Sequence, residues 1–259
     1  MEYSLRKNKQ LLSVISASLN SEKTIKKTIE SVLNQTISDF EYIVIDGNSK
    51  DKTIAIVKSF EDKFTEKGIS YKWISENDTG IYDAFNKGIN LSKGKWISFL
   101  GSDDVYKNNA IELYHKNIVA LKREVDFIHS EVKVGERKII KGEWSWKIFK
   151  RDMNLAHVGA FHHKKYFEKY GLFDTSYRIA GDYELLLRAR SNLKTLKINK
   201  ITAIMGDGGI SNKSIKEVFK EATRAKIETA KVSKINSQLD YYKWILKYQI
   251  KKVLHALTR

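Results

Sequence analysis

A chain of 259 residues and 30.0 kDa has room for one large domain or two small ones. Its composition of 42% apolar, 11% aromatic and 30% charged residues is that of a globular protein and excludes a disordered or fibrous one. Lys and Arg outnumber Asp and Glu by 47 to 31, a net +16; the absence of cysteine excludes a disulfide framework, a thiolate zinc site and a cysteine nucleophile; and no apolar run approaches the ~18 residues of a spanning helix.

Arg6, Lys7 and Lys9 ahead of Leu11–Ala17 faintly resemble a secretory leader. Two serines interrupt that short run and a polar helical pattern follows at once. A buried strand therefore fits better, and the cytoplasm is the expected compartment. Ile25, Ile29, Val32 and Leu33 then fall at helical spacing. Glu41–Ile45 is a second strand ending at Asp46-Gly47, Asp51–Phe64 is helical, and Ile69–Ile74 is a third strand. Thr79 reads as the N-cap of a helix running through Leu91. Lys95–Leu100 is a fourth strand, stopped by Gly101-Ser102-Asp103-Asp104. With no proline in the chain, these turns rest on Gly, Asn, Asp and Ser. Strands alternating with helices predict an α/β fold with a parallel, doubly wound central sheet.

Past Val105 the rhythm changes. Lys107–Leu121 is helical, Val125–Val134 and Arg137–Ile140 read as strands, and Trp144 and Trp146 sit in a loop or short element. Asp182–Arg190 is a helix, Thr195–Met205 a strand, and Gly206-Asp207-Gly208-Gly209 a flexible turn. Everything after Ser214 is helical. Residues 1–212 are thus expected to form the main domain and 213–259 a basic helical tail, which holds 12 basic and 4 acidic residues.

Open parallel sheets bind ligands outside the carboxyl ends of their strands. Here those ends carry Ser16-Ala17-Ser18, Asp46-Gly47-Asn48-Ser49, Glu76-Asn77-Asp78 and Ser102-Asp103-Asp104. Neither the Gly-x-Gly-x-x-Gly turn of a dinucleotide site nor the Gly-Lys-Ser/Thr of a phosphate loop is present. Acidic groups alone would repel a diphosphate, so a hard cation, Mn²⁺ or Mg²⁺, is required between them, held by carboxylates and phosphate oxygens. Asp103 and Asp104 suit that role; a turn that merely caps the next helix is the alternative.

Several motifs together resemble one family. Ser13-Val14-Ile15-Ser16-Ala17-Ser18-Leu19-Asn20 is similar to its opening strand, with Ala17 and Leu19 where Pro and Tyr are usual. Ser31-Val32-Leu33-Asn34-Gln35-Thr36 matches its first helix, and Asp46-Gly47-Asn48-Ser49-Lys50-Asp51-Lys52-Thr53 its Asp-Gly-x-Ser-x-Asp-x-Thr turn. The segments Glu76–Gly88, Ser102-Asp103-Asp104 and Ala180–Arg188 follow in the family's order. From about Leu12 to Ser211 the chain resembles a family 2 glycosyltransferase of GT-A fold, closest to bacterial O-antigen and capsule enzymes.

The resemblance implies a mostly parallel sheet with a C-terminal helical extension. It also implies inverting transfer of a sugar from a nucleoside-diphosphate donor, UDP-sugar first, to a hydroxyl of a glycan or lipid-linked glycan. Donor contacts fall on Ser16, Ser18, Asp46, Asp83, Asn86, Lys87, Ser102 and Asp103, and the metal on Asp104 with Asp103. Asp182 is the expected general base, favoured as an anion by the helix start it occupies; a simple helix cap is its bland alternative. Asp46 has the alternative of a structural turn residue, and Asp83 and Asn86 of a locally packed helix surface. His157, Gly181 and Gly209 are placed at the acceptor side, His157 with the alternative of a structural histidine. Gly208-Gly209-Ile210-Ser211 has the character of a lid.

In the last helix Lys243, Lys247 and Lys251 form a stripe flanked by Tyr241, Trp244 and Tyr248. Basic groups beside aromatics suit an anionic membrane surface, giving a peripheral protein on the cytoplasmic face. A solvated helix packed on its own domain, or a homodimer contact, is the alternative. A nucleic-acid binder is disfavoured despite the pI near 9.6, since no recognised module is present. A sugar-nucleotide binder without turnover is the other alternative.

Overall fold

The computed structural model describes residues 10–135, 138–206 and 214–257, with side chains described as far as Ile250 and at Val253. Strand β1 (Leu12–Ser18) is buried along its whole length because parallel strands flank it on both sides. These are β2 (Glu41–Asp46) and β4 (Trp96–Phe99). A strand so placed shows a continuous apolar run rather than alternation, and its serines need internal partners. Ser13 Oγ donates to Glu41 at 2.7 Å, and Ser16 Oγ accepts from the Tyr42 hydroxyl at 3.0 Å. Helix α1 (Ile25–Leu33) joins β1 to β2 and buries Ile25, Ile29, Val32 and Leu33 as its spacing demands.

The helix expected over Asp51–Phe64 is two short ones, α2 (Thr53–Lys58) and α3 (Glu61–Glu66), separated at Ser59–Phe60. Strand β3 (Ser70–Ser75) completes the parallel edge beside β2. Helix α4 (Ile81–Leu91) has Gly80, not the expected Thr79, as its N-cap residue. The Asp78 and Asp83 carboxylates accept from the Gly80 and Thr79 N–H groups, each at 3.0 Å, and satisfy donors the helix start leaves open.

After β4 come β5 (Val105–Tyr106), α5 (Ala110–Val119), β6 (Phe127–Val134), β7 (Lys138–Ile140) and α6 (Trp146–Phe149). Strand β8 (Phe161–His163) and α7 (Lys164–Tyr170) follow, then α8 (Gly181–Leu187) and β9 (Thr195–Met205). The sheet runs β3-β2-β1-β4-β8-β6-β9-β5, with β7 beside β6. Strands β3, β2, β1 and β4 are mutually parallel, as are β6 and β9, whereas β8 is antiparallel to both its neighbours. Apolar clusters cover both faces of the sheet. One contains Val14, Val44, Phe64 and Tyr114; the other contains Ile15, Ile45, Phe99 and Leu186. The α/β sheet flanked by helices is as the alternation predicts, but it is mixed rather than wholly parallel, since β5, β7 and β8 pair antiparallel with their neighbours.

Two helices close the chain, α9 (Ile215–Glu228) and α10 (Lys234–Leu257). Helix α9 packs on α8 and on α10. An ionic cluster around buried Asp240 and Lys226 ties them to the sheet domain: Asp240 accepts from Nε of the exposed Arg151 at 3.0 Å and lies 3.6 Å from Lys226 Nζ. Among the described residues no helix is long and apolar enough to cross a membrane.

Candidate active site

The carboxyl ends of β1 and β2 are zipped together before any ligand is considered. Asn20 N–H donates to Ser49 Oγ at 2.8 Å, and Lys50 N–H to Asn20 Oδ1 at 2.9 Å. Asn20 and Asn48 both hold positive φ, a conformation asparagine tolerates better than most residues. Beneath this turn Asp46 is fully buried. Its carboxylate accepts from Ser18 Oγ, Ser49 N–H, Ser49 Oγ and Ser75 Oγ. Four donors leave that carboxylate no open side for a base, so Asp46 and Ser18 shape the turn from below.

The end of β4 is built differently. Asp104, 5% exposed, accepts from Gly101 N–H at 3.1 Å and from Gly206 N–H at 2.9 Å, joining this loop to the end of β9. Burial pushes its carboxyl up to about 6, and the neighbouring Asp103 charge adds to the effect. Gly206 permits the approach: a Cβ there would lie 2.5 Å from the Asp103 carbonyl oxygen. Ser102 Oγ lies 2.8 Å from Ser21 Oγ and links the β4 loop to the β1 loop.

Asp103, Asp104, His157 and Asp182 line one cavity of about 210 Å³, together with Tyr82 and Arg178. Asp182 stands in the first turn of α8, where its Oδ1 accepts from Tyr183 N–H at 2.8 Å and from the Tyr82 hydroxyl at 3.3 Å. Gly181 makes room for that ring, since a Cβ would come within 2.7 Å of it. The N-cap residue, Ala180, has no side-chain group to cap the helix, and Asp182 itself satisfies one donor of the first turn. Glu221 on α9 holds the chain just ahead of the helix, accepting from the N–H groups of Arg178, Ile179 and Ala180 at 2.8–2.9 Å. The segment leading into Asp182 is thereby held from the far side.

His157 stacks on Phe99 and meets fully buried His162, with the two Nε2 atoms 2.9 Å apart. Burial lowers the pKa of both rings, so both are neutral. His162 Nδ1 has no partner among the described residues. An unpaired buried N–H is the rarer defect, so the proton belongs on His162 Nε2 and donates to His157. Neutral His157 then carries its own proton on Nδ1.

Other expected contacts lie elsewhere. Ser16 is sealed in the core by Tyr42. Asn86 does not face the cavity; its amide accepts from Phe173 N–H and donates to Phe173 C=O, each at 2.9 Å, a two-point brace between α4 and the loop before α8. Lys87 is engaged with Glu76 at 2.9 Å and with the Asn77 carbonyl at 2.7 Å, and Asp83 with the Thr79 N–H, so both fasten the start of α4. Gly209 and the lid expected around it lie outside the described residues. Sequence reasoning missed Tyr82, Arg178, His162 and Glu221. An arginine two residues before the Ala-Gly-Asp block was the one available signal.

Among the described residues no group of three or more His, Asp or Glu is arranged to hold a metal ion. Two adjacent carboxylates, one pinned by backbone N–H groups and repelled by the other, nonetheless fit a hard cation completed by phosphate oxygens.

Known proteins share this architecture and parts of this sequence. A PGL/p-HBAD biosynthesis glycosyltransferase of Mycobacterium bovis is 29% identical over 224 residues, covering 81% of this chain and 82% of that one. S. aureus TarS 1-349, solved in complex with UDP-GlcNAc, superposes with a TM-score of 0.68 at 17% identity, over 91% of this chain and 71% of that one. The mannosyltransferase PcManGT of Pyrobaculum calidifontis, solved with GDP-Man and Mn²⁺, superposes with a TM-score of 0.61 at 14% identity, over 85% of this chain and 67% of that one. At these identities the two structures establish a shared GT-A fold. Residues 13–167, more than half of the chain, match the family model described as Glycosyl transferase family 2, and the chain belongs to that family.

Proposed function

We propose that the protein is an inverting hexosyltransferase using a nucleoside-diphosphate sugar, with a UDP-sugar first, and a divalent cation, Mn²⁺ or Mg²⁺. Its acceptor is a hydroxyl of a glycan or lipid-linked glycan in bacterial surface polysaccharide synthesis, of the O-antigen or capsule kind. One observation carries the reading: the Asp103–Asp104 pair and Asp182 share a single small cavity. The UDP-GlcNAc complex of TarS and the GDP-Man and Mn²⁺ complex of PcManGT support the donor and cation classes.

Asp103 and Asp104 would hold the cation, which when bound neutralises charge developing on the departing diphosphate. Arg178, on the same cavity wall, adds a fixed positive group for the phosphates. Ser102 and the Asn20–Ser49 turn set the loops against which the nucleotide rests, with exposed Leu19 offering an apolar surface to the base. Asp182 takes the proton of the attacking hydroxyl, and one positioned base typically contributes ~10²–10⁴-fold. The Tyr82 hydroxyl and Tyr183 N–H keep that carboxylate oriented. His157 presents its Nδ1 proton as a donor beside it.

Helix α10 leaves Leu239, Tyr242, Leu246, Ile250 and Val253 exposed, with lysines alongside. That stripe suits a peripheral position on an anionic cytoplasmic membrane face. The test is a panel of UDP- and GDP-sugars incubated with the chain and Mn²⁺, read as release of nucleoside diphosphate. One donor is expected to be consumed, and chelation is expected to stop it; a chain that consumes none of them contradicts the reading.

A further inference from the structure

A second cavity, of about 390 Å³, meets the first at His157, Val158, Ile179, Asp182 and Met205. Its walls are mostly apolar, with Met153, Leu155 and Val158 from the sheet side, Phe219 from α9 and Trp244 from α10, and they also carry Lys138, Arg151, Asp152 and Lys226. Phe219 and Trp244 lie against each other, with ring centroids 6.1 Å apart. Two of the charged groups on its lining, Arg151 and Lys226, are both tied to the single carboxylate of Asp240. A bare oligosaccharide placed there would lay many of its hydroxyl groups against Met153, Leu155, Val158 and Phe219, which cannot hydrogen-bond them, at a desolvation cost for each. An apolar group would lose nothing polar on entering, and the volume is in the range of small-molecule sites.

We infer that this cavity takes the apolar carrier of the acceptor, an aryl or alkyl group attached directly to the reacting alcohol or through no more than one sugar. The limit follows from Asp182, which borders both cavities, so the reacting hydroxyl and the apolar wall lie within one residue of each other. The enzyme therefore acts at the start of a glycan, and the reaction before it must supply an apolar alcohol or its monoglycoside. In the transfer, the acceptor oxygen bonds to the anomeric carbon as the bond from that carbon to the phosphate oxygen breaks. The electron pair leaves with the nucleoside diphosphate, and the hydroxyl proton passes to Asp182. Phe219, Ala222 and Trp244 all lie beyond residue 167, where the family match ends. Carrier selection thus draws on the C-terminal helices together with Met153, Leu155 and Val158.

The inference rests on Asp182 being the base, and its test is chosen to fail separately. The chain is titrated calorimetrically with methyl, phenyl and octyl β-D-glucoside, the last below its micellar concentration. Phenyl or octyl glucoside is expected to bind at least tenfold tighter than methyl glucoside, and the better of the two identifies an aryl or an alkyl carrier. Trp244→Ala is expected to bring the preference to within twofold. Ala222→Trp, which fills the cavity rather than emptying it, is expected to do the same, so a packing defect in one variant does not decide the result. Equal affinity for all three glucosides, or a preference that survives both substitutions, overturns the inference. If nucleotide-sugar consumption persists in that case, the proposed function stands while the carrier assignment falls.

Discussion

The two walls around Asp182 are built on opposite principles. On the donor side, loops at the ends of β1, β2 and β4 are cross-linked by hydrogen bonds, and even the fully buried Asp46 has every face occupied. On the far side, α9 and α10 present aliphatic and aromatic surface, and a few carboxylates, Glu221 and Asp240, hold them in place. The donor wall lies mostly within the family-matched segment and the far wall mostly beyond it. Under the proposed function, the contrast teaches that one region would receive a fixed chemical group, a diphosphate with its cation, while the other would be free to differ with the acceptor.

Substituting the group between the walls should have the largest effect. Asp182→Asn is expected to lower kcat by ~10²–10⁴-fold while nucleotide-induced thermal stabilisation persists; equal turnover by variant and parent would refute the base assignment. Glu221→Ala breaks the contrast from the other side, by releasing three N–H groups ahead of Asp182. It should cost about 1–3 kcal/mol of stability per group left unsatisfied and out of reach of water. It should also lower kcat more than it raises KM for the donor, a split that simple destabilisation of the fold does not produce.

Asp104 gives a pH signature confined to the donor wall. Burial raises its carboxyl to about 6, so the folded chain holds that proton more tightly than the unfolded one, whose carboxyl titrates near 3.9. Without a divalent cation, stability should therefore fall as pH climbs from about 4 past about 6, by roughly 3 kcal/mol at most. Stabilisation by Mn²⁺ with UDP should grow over the same range, and a melting series at several pH values with and without both ligands reads it directly. The smallest effect is expected at His162. Gln keeps a donor toward His157 and should stay within a few-fold of the parent, whereas His162→Phe should lose more activity. Nitrogen chemical shifts should show the His157 proton on Nδ1 in the parent.

Much of this was legible from residue order. The alternation over the first hundred residues specifies the parallel edge, and β9 has the predicted bounds, Thr195–Met205, where five of eleven residues are β-branched and Gly206 ends the strand. Strands β5 and β8 escaped, being two and three residues long and defined only by partners far along the chain, β9 for one and β4 and β6 for the other. The split of the Asp51–Phe64 helix has no periodic signature, since Ile54, Val57 and Phe64 keep their spacing across the break.

At the site, Asp103, Asp104, His157 and Asp182 do share a cavity. Ser16 and Asn86 were misplaced because a polar residue beside a motif looks the same whether it meets a ligand or a buried neighbour. Glu221 was invisible for the converse reason: an acidic residue on a basic, amphipathic helix reads as solvent-facing until the helix is docked.

The claim at the centre is that the donor wall binds a diphosphate through a cation held by Asp103 and Asp104. Calorimetric titration with UDP, in Mn²⁺ and again after chelation, tests it most directly. The account predicts binding at least tenfold tighter with the metal, and loss of that gain in Asp103→Asn. Equal UDP affinity in both conditions would contradict it.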